Sequence, residues 1–206
     1  SVYTVGTNKL KHMRVYELME DEELTFVAMP PSLLQFLSPY FGEIHVPKLK
    51  YLIVTAEAAN ADLLQRFRAC APNAEFVNLY GPTEATIYCT AYRIPPEDCK
   101  QHNGMIAIGH PFTGIDTMIM DENETPMQTG EQGELWVSGE QVMRGYWQDE
   151  EKSRQVFARF NGKKYYKTGD LCSVDPEGDI IYCGRKDYQV KVQGFRVCLL
   201  YTSDAA

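Results

Sequence analysis

A chain of 206 residues, 44% hydrophobic and 23% charged, has room for one good core or two small ones and reads as an ordinary globular protein. Its net charge of -8 argues against a general nucleic-acid or anionic-membrane surface. The cysteines at 70, 89, 99, 172, 183 and 198 form no C-x-x-C pair and have no paired histidine spacing, so reduced, mostly buried thiols are expected rather than a zinc site or a disulfide framework. The N-terminus carries no signal-peptide pattern and no apolar run approaches about 18 residues, so the expectation is a cytoplasmic protein without membrane insertion.

In chain order, Leu10 to Glu22 reads as an amphipathic helix and Leu24 to Met29 as a strand that Pro30-Pro31 ends. Ser32 is placed to cap a helix carrying Leu33, Leu34, Phe36 and Leu37, and Leu49 to Val54 is the next buried strand. Ala58 to Ala71 has helical spacing, with Leu63, Leu64 and Phe67 on one face and Pro72-Asn73 as its stop. Glu75 to Tyr80 is a short aromatic and β-branched strand, and Thr86 to Ile94 another after a Gly-Pro break. This alternation is that of an α/β fold.

From Pro95-Pro96 onward the segments are short and punctuated by glycine. Gly104 to Ile108, Thr117 to Met120, Gly133 to Ser138, Lys164 to Thr168, Leu171 to Asp175 and Asp179 to Cys183 read as strands, with a helix over Glu150 to Phe157. Asp175-Pro176-Glu177-Gly178 is a hairpin turn. Such a pattern predicts a small barrel or distorted sandwich packed on the α/β part.

The chain is organised around Asn78-Leu79-Tyr80-Gly81-Pro82-Thr83-Glu84. In open α/β sheets ligands bind outside the carboxyl ends of the strands, and this turn offers an aromatic face, a hydroxyl and a carboxylate at such a place. Those groups could stack a base, touch a phosphate and hold a magnesium ion. Taken alone, Thr83 and Glu84 read equally well as the opening of a helix or hairpin.

This stretch resembles the adenine-binding signature of the adenylate-forming superfamily, which comprises acyl-CoA synthetases, luciferases and nonribosomal peptide synthetase adenylation domains. Further matches follow in order: Gly133 to Gly139 running on to Arg144-Gly145-Tyr146-Trp147, then Tyr166 to Leu171, then Gly184 to Arg196. The resemblance implies an α/β fold: part of the family's N-terminal domain, with an α/β layer over residues 1-94 and a barrel-like subdomain over 95-186. Residues 187-206 are then the hinge and the first strands of the C-terminal subdomain.

It also implies roles. Tyr80 would lie against the adenine of ATP or AMP, Thr83 would bond an α-phosphate oxygen, and Glu84 would hold Mg2+, with Asn78 and Gly81 completing the nucleotide-binding turn. Asp170 would accept both ribose hydroxyls, since an ionised carboxylate has two acceptor oxygens. Arg185 would reach the ribose and phosphate edge with its planar fork, and Asp187 would be the hinge. Read singly, Tyr80 fits core packing, Asp170 a turn, Arg185 a solvated charge and Asp187 an exposed loop. An acyl pocket would be lined by Ala28, Ile53, Thr55, Leu79, Ile87 and Tyr88, which suits a modest uncharged side chain.

The reaction implied is activation of a carboxylic acid, preferentially an amino acid, as an acyl-adenylate, followed by transfer to the thiol of a phosphopantetheine carrier protein or of CoA. The central and hinge motifs look closest to peptide-synthetase adenylation domains and D-alanine carrier-protein ligases. Alternatives are an acyl-CoA synthetase for a fatty or aryl acid, and a nucleotide-binding module without catalysis. The family's Gly/Ser/Thr-rich phosphate loop should lie upstream of Ser1, as should the residues that hold a substrate amino group, and its catalytic lysine should lie beyond Ala206. The 206 residues are therefore expected to be a fragment with little ligase activity alone. After Val197 the family pattern ends, and residues 198-206 read as the end of a truncated gene or as a non-native tail.

Overall fold

The computed structural model describes residue 2 and residues 11–187, together with the backbone of two strands at 189–192 and 195–198. The first part follows the alternation read from the sequence: α1 (Lys11–Asp21), β1 (Phe26–Met29), α2 (Pro31–Leu37), β2 (Tyr51–Thr55), α3 (Ala61–Phe67) and β3 (Glu75–Tyr80). β1, β2 and β3 pair in parallel, with Ala28 beside Ile53 and Ile53 beside Val77. Because parallel neighbours need crossovers, α2 and α3 both fall on one side of the sheet. Their Leu33, Leu34, Leu37, Leu63, Leu64 and Phe67 pack with Val27, Met29, Leu52, Val54 and Phe76 in the main core. The opposite sheet face is open, leaving Phe26 57% and Tyr51 43% exposed.

Helix boundaries depart from local propensity in two places. Ser32 does not cap α2; the helix begins after Pro30, and Glu57 reaches in from the loop after β2 to accept bonds from the Ser32 amide (2.8 Å) and hydroxyl (2.9 Å). A carboxylate takes over the capping because the loop brings it to the orphan amides of the first turn. The next helix is shorter than the spacing suggests: Asn60 caps it by accepting from the Leu63 amide, which fixes its start at Ala61.

After β3 the chain makes a one-turn 3-10 helix (Thr83–Ala85) and returns antiparallel as β4 (Thr90–Ile94). The strand expected from Thr86 starts late because Thr86 and Ile87 adopt φ of 55° and 74°, a left-handed pair that no strand accommodates. A small hairpin, β5 (Gln101–His102) and β6 (Met105–Ile106), turns on Asn103-Gly104, and β7 (His110–Pro111) pairs with β4 at the edge of the first sheet.

The second sheet is antiparallel. β8 (Ile115–Met120) pairs with β9 (Gly133–Gly139), α4 (Glu150–Val156) follows, and β10 (Phe157–Phe160), β11 (Lys163–Val174) and β12 (Ile180–Arg185) complete it in the order β8-β9-β11, with β10 and β12 both on β11. Two sequence expectations change here. Phe157 ends no helix but opens β10, and the two strands expected around Gly169 are one strand carrying a bulge. A second core, containing Tyr80, Ala85, Cys89, Ile108, Leu135, Val137, Cys172 and Ile180, joins the end of β3 to this sheet. β13 (Gln189–Val192) and β14 (Phe195–Cys198) form a separate antiparallel pair; the side chains of the hinge run beyond Asp187 and the tail at 199–206 lie outside the described residues.

Lys100 ties the two sheets together. Its ammonium lies between Asp175 (2.6 Å), Glu177 (2.5 Å) and Asp179 (2.5 Å) of the β11–β12 turn, and His110 approaches Asp179 at 3.1 Å. The three carboxylates have a metal-like grouping, and the lysine supplies the positive charge at its centre. Cys70, Cys89 and Cys172 are buried free thiols, and Cys99 and Cys183 are half-buried. Among the described residues no helix is long and apolar enough to cross a membrane.

Candidate active site

The bulge in β11 builds the centre of the site. Pairing with β9 shifts register between Lys167 and Leu171, and Gly169 sits inside the shift at φ 72°, where a side chain would be strained and a Cβ would come within 2.9 Å of Arg185. The groups that leave the ladder find other partners. The Gly169 amide donates to Glu134 (2.9 Å), the Thr168 hydroxyl donates to the Leu135 carbonyl (2.7 Å), and the Asp170 amide donates to the Thr168 hydroxyl (3.0 Å). Bulges of this kind re-aim a side chain, and here the one re-aimed is Asp170, which is 5% exposed.

Asp170 meets residues on either side of it in sequence. The Tyr80 hydroxyl, 90 positions earlier, donates to its Oδ2, and Arg185 donates from Nη1 to its Oδ1 at 2.8 Å. The same guanidinium bonds the Thr168 carbonyl (2.9 Å) and grips both oxygens of Asp187 at 2.9 and 2.8 Å. Burial pushes the Tyr80 phenol well above its ordinary pKa, and the neighbouring Asp170 charge adds to the shift. It therefore acts as a neutral donor. Burial works against the charge on Arg185, but Asp187 and Asp170 outweigh it, and the net shift is upward. The result is a Tyr80–Asp170–Arg185–Asp187 chain of polar contacts running from the end of β3 to the end of β12.

Around the turn after β3, Gly81 is fixed by crowding. A Cβ there would lie 2.4 Å from the Ile87 carbonyl oxygen and 2.8 Å from the Tyr88 Cα, both backbone atoms. Thr83 is exposed on the 3-10 turn, whereas Glu84 is 8% exposed and accepts a 2.7 Å bond from the Tyr146 hydroxyl on Oε1. Burial raises the Tyr146 phenol pKa, and the bond to Glu84 raises it further. Gln141 steadies the turn by donating to the Ala85 (2.5 Å) and Tyr88 (2.7 Å) carbonyls, and its own carbonyl accepts from the Thr86 hydroxyl.

Of the residues singled out from the sequence, Tyr80, Asp170, Arg185 and Asp187 are directly linked, and Thr83 and Glu84 lie a few positions beyond Tyr80. Asn78 sits apart, 3% exposed, with its amide donating to the Ala107 carbonyl at 2.9 Å inside the core. Ala28, Ile53, Thr55 and Leu79 share the sheet face turned away from the helices, by the register that pairs Ala28 with Ile53 and Thr55 with Leu79. Ile87, 59% exposed, and Tyr88 belong to the turn instead. Tyr146, Gln141, Thr168 and Glu134 had no individual role in the sequence reading; Tyr146 stood only inside Arg144-Gly145-Tyr146-Trp147, with nothing local to point at Glu84.

The residues fit a magnesium nucleotide. Glu84 offers hard carboxylate oxygen to a divalent cation, and Asp170 retains acceptor capacity beyond the bonds from Tyr80 and Arg185, because an ionised carboxylate has about four lone-pair positions.

The polar cluster lies at the carboxyl end of β3, the place where open α/β sheets bind ligands. The family described as AMP-binding enzyme matches residues 1–147. The chain belongs to the AMP-binding enzyme family. It is 33% identical over 190 residues to the indigoidine synthase of Dickeya dadantii, covering 89% of this chain and 13% of that protein. It is 35% identical over 164 residues to the D-alanine–D-alanyl carrier protein ligase of Streptococcus pneumoniae, covering 80% of this chain and 32% of that one. The chain thus spans less than a third of each. Among solved structures it superposes on the Vibrio cholerae adenylation domain AlmE in complex with glycyl-adenosine-5'-phosphate at a TM-score of 0.83 and 27% identity, covering 92% of this chain and 36% of that one.

Proposed function

We propose that the protein carrying this chain uses ATP to activate an amino acid as its acyl-adenylate and passes the acyl group to the thiol of a phosphopantetheine carrier protein. The observation that carries this reading is the Tyr80–Asp170–Arg185 contact, in which motifs far apart in sequence converge on one buried carboxylate. The carrier-protein ligase and the glycyl-adenylate complex among the similar proteins favour an amino acid and a carrier over a fatty acid and CoA.

In the first half-reaction the substrate carboxylate attacks the α-phosphate of ATP and pyrophosphate leaves; in the second a thiolate attacks the acyl carbon and AMP leaves. Positioning and charge stabilisation dominate such a transfer. Tyr80 would present its ring to the adenine, Asp170 would accept from the ribose hydroxyls, and Arg185 would hold Asp170 while reaching the phosphate edge. Thr83 would donate to an α-phosphate oxygen. Glu84 would hold Mg2+, which when bound offsets charge on the phosphate oxygens. The half-open face carrying Ala28, Ile53, Thr55 and Leu79 would take the amino-acid side chain, with Ile87 and Tyr88 at its rim. Asp187, two residues past β12, would be the hinge.

The test is ATP–pyrophosphate exchange by the complete protein across amino acids, fatty acids and aryl acids. Exchange with a single amino acid supports the reading and names the substrate. Exchange confined to a fatty or aryl acid overturns it in favour of a CoA ligase.

A further inference from the structure

The loop between β9 and α4 reaches across to the turn that carries Glu84, and it grips that residue twice. The Met143 amide donates to the Glu84 carbonyl at 2.8 Å, and the Tyr146 hydroxyl donates to Glu84 Oε1 at 2.7 Å. The element holding Glu84 is a single 3-10 turn, too short to fix a flexible glutamate by itself. Orientation must come from outside it.

The loop is itself anchored. The Tyr146 amide donates to the Ser153 hydroxyl in the middle of α4 (2.8 Å), Lys164 of β11 donates to the Arg144 carbonyl (2.6 Å), and Lys152 lies over the Tyr146 ring at 4.4 Å from its centre. Tyr146 is therefore a rigid aromatic strut whose base is fixed by one element and whose tip ends on the carboxylate of another, 62 positions earlier.

We infer that Tyr146 is a positioning residue for the metal: its hydroxyl holds the Glu84 carboxylate in the orientation that binds a divalent cation. This rests on the assignment of Glu84 under the proposed function. The bond uses one of about four acceptor positions on the carboxylate, so it orients the group without filling it. Mg2+ keeps most of its water and relies on one or two carboxylates plus phosphate oxygens, so the aim of a single glutamate weighs heavily in its affinity. Removing a partner that orients a metal ligand typically weakens metal binding by about 10 to 100-fold.

The experiment is calorimetric titration of the complete protein with the non-cleavable α,β-methylene analogue of ATP over a range of MgCl2 concentrations, and separately with AMP in the absence of metal. Tyr146→Phe, which deletes only the hydroxyl, is expected to raise the Mg2+ concentration for half-maximal analogue binding by about 10-fold or more, while AMP affinity stays within about twofold of the wild type. Glu84→Ala is expected to abolish the Mg2+ dependence. If Tyr146→Phe keeps the wild-type Mg2+ dependence while Glu84→Ala loses it, the role given to Tyr146 is wrong and that of Glu84 stands. If Tyr146→Phe binds Mg2+ more tightly, the hydroxyl competes with the metal, and the proposal fails. Loss of AMP binding in Tyr146→Phe would make the residue a structural strut only. Wild-type Mg2+ dependence in Glu84→Ala would overturn both assignments.

Discussion

Arg185 holds Asp187 in a two-pronged ion pair, Nε to Oδ1 at 2.9 Å and Nη2 to Oδ2 at 2.8 Å, while its remaining nitrogen, Nη1, donates the other way, to Asp170 at 2.8 Å and to the Thr168 carbonyl at 2.9 Å. One planar cation therefore spans the re-aimed aspartate and Asp187, two residues past the end of β12. Lysine, with a point charge, cannot reproduce that span.

The two ends of the bridge differ in value. The Asp170 side is buried, with side-chain exposures of 15% for Arg185 and 7% for Asp170, whereas Asp187 is 42% exposed and water-screened. Arg185→Lys is expected to destabilise the fold by about 1–3 kcal/mol, the scale of a lost charged hydrogen bond. Asp187→Ala should cost less than about 1 kcal/mol. Urea unfolding of both variants checks the order; a larger loss from Asp187→Ala would contradict it.

Gly81→Ala places a methyl group against the backbone at Ile87, Tyr88 and Cys89, with the nearest approach 2.4 Å, so the turn has to move as a whole. The expected penalty is about 1–3 kcal/mol, as for overpacking of a tight interior. Weakened nucleotide binding should accompany it, since Thr83 and Glu84 ride on the same turn. Denaturation midpoint and AMP affinity, measured together, report both effects.

The lysine between the sheets gives a pH signature. For Asp175, burial opposes ionisation, but the bonds from Lys100 and from the Asp179 and Glu177 amides outweigh it and hold the carboxyl below its usual range. A depressed folded-state pKa contributes stability that is present above the unfolded value of about 3.9 and fades as pH falls through the lower folded value. In Lys100→Met the Asp175 carboxylate loses that cation and faces the carboxylates of Glu177 and Asp179, so its folded pKa rises. The variant should be destabilised at pH 7 and converge on the wild type as pH falls toward about 4. Urea midpoints across that range test it; a gap that widens on acidification would refute the assignment.

At the start of α2, Glu57→Ala removes the acceptor for both the Ser32 amide and its hydroxyl. Loss of a helix cap costs about 1 kcal/mol. Ser32→Ala, which leaves the amide bond intact, should cost less, and thermal denaturation of the pair distinguishes the amide from the hydroxyl contribution.

What could be read from the sequence was what neighbours in sequence decide. β3 is bounded by Pro72-Asn73 and Gly81-Pro82, and its strand bias survives as an alternation of buried Phe76, Asn78 and Tyr80. β11 reads as two strands because Gly169 looks like a turn, whereas tertiary pairing on β9 and β12 carries the chain through it as a bulge. β10 was missed although Asn161-Gly162, at φ 47° and 79°, is a two-residue hairpin signal; the strand starts directly at the helix end and leaves no break to mark it. At the site, the motifs supply Tyr80, Glu84, Asp170 and Arg185. Tyr146 and Gln141 depend on where a long loop comes to rest, and Glu57 replaces Ser32 as the cap from 25 positions away.

Asp170, held by Tyr80 and Arg185, is the proposed acceptor for the nucleotide's ribose hydroxyls. AMP titration of the complete protein and its Asp170→Asn variant tests it most directly. Each hydrogen bond to the ionised carboxylate is worth about 1.5–3 kcal/mol, so an affinity loss of about 10 to 100-fold is expected in a variant that keeps its wild-type circular dichroism. Unchanged AMP affinity in a folded Asp170→Asn protein would contradict it.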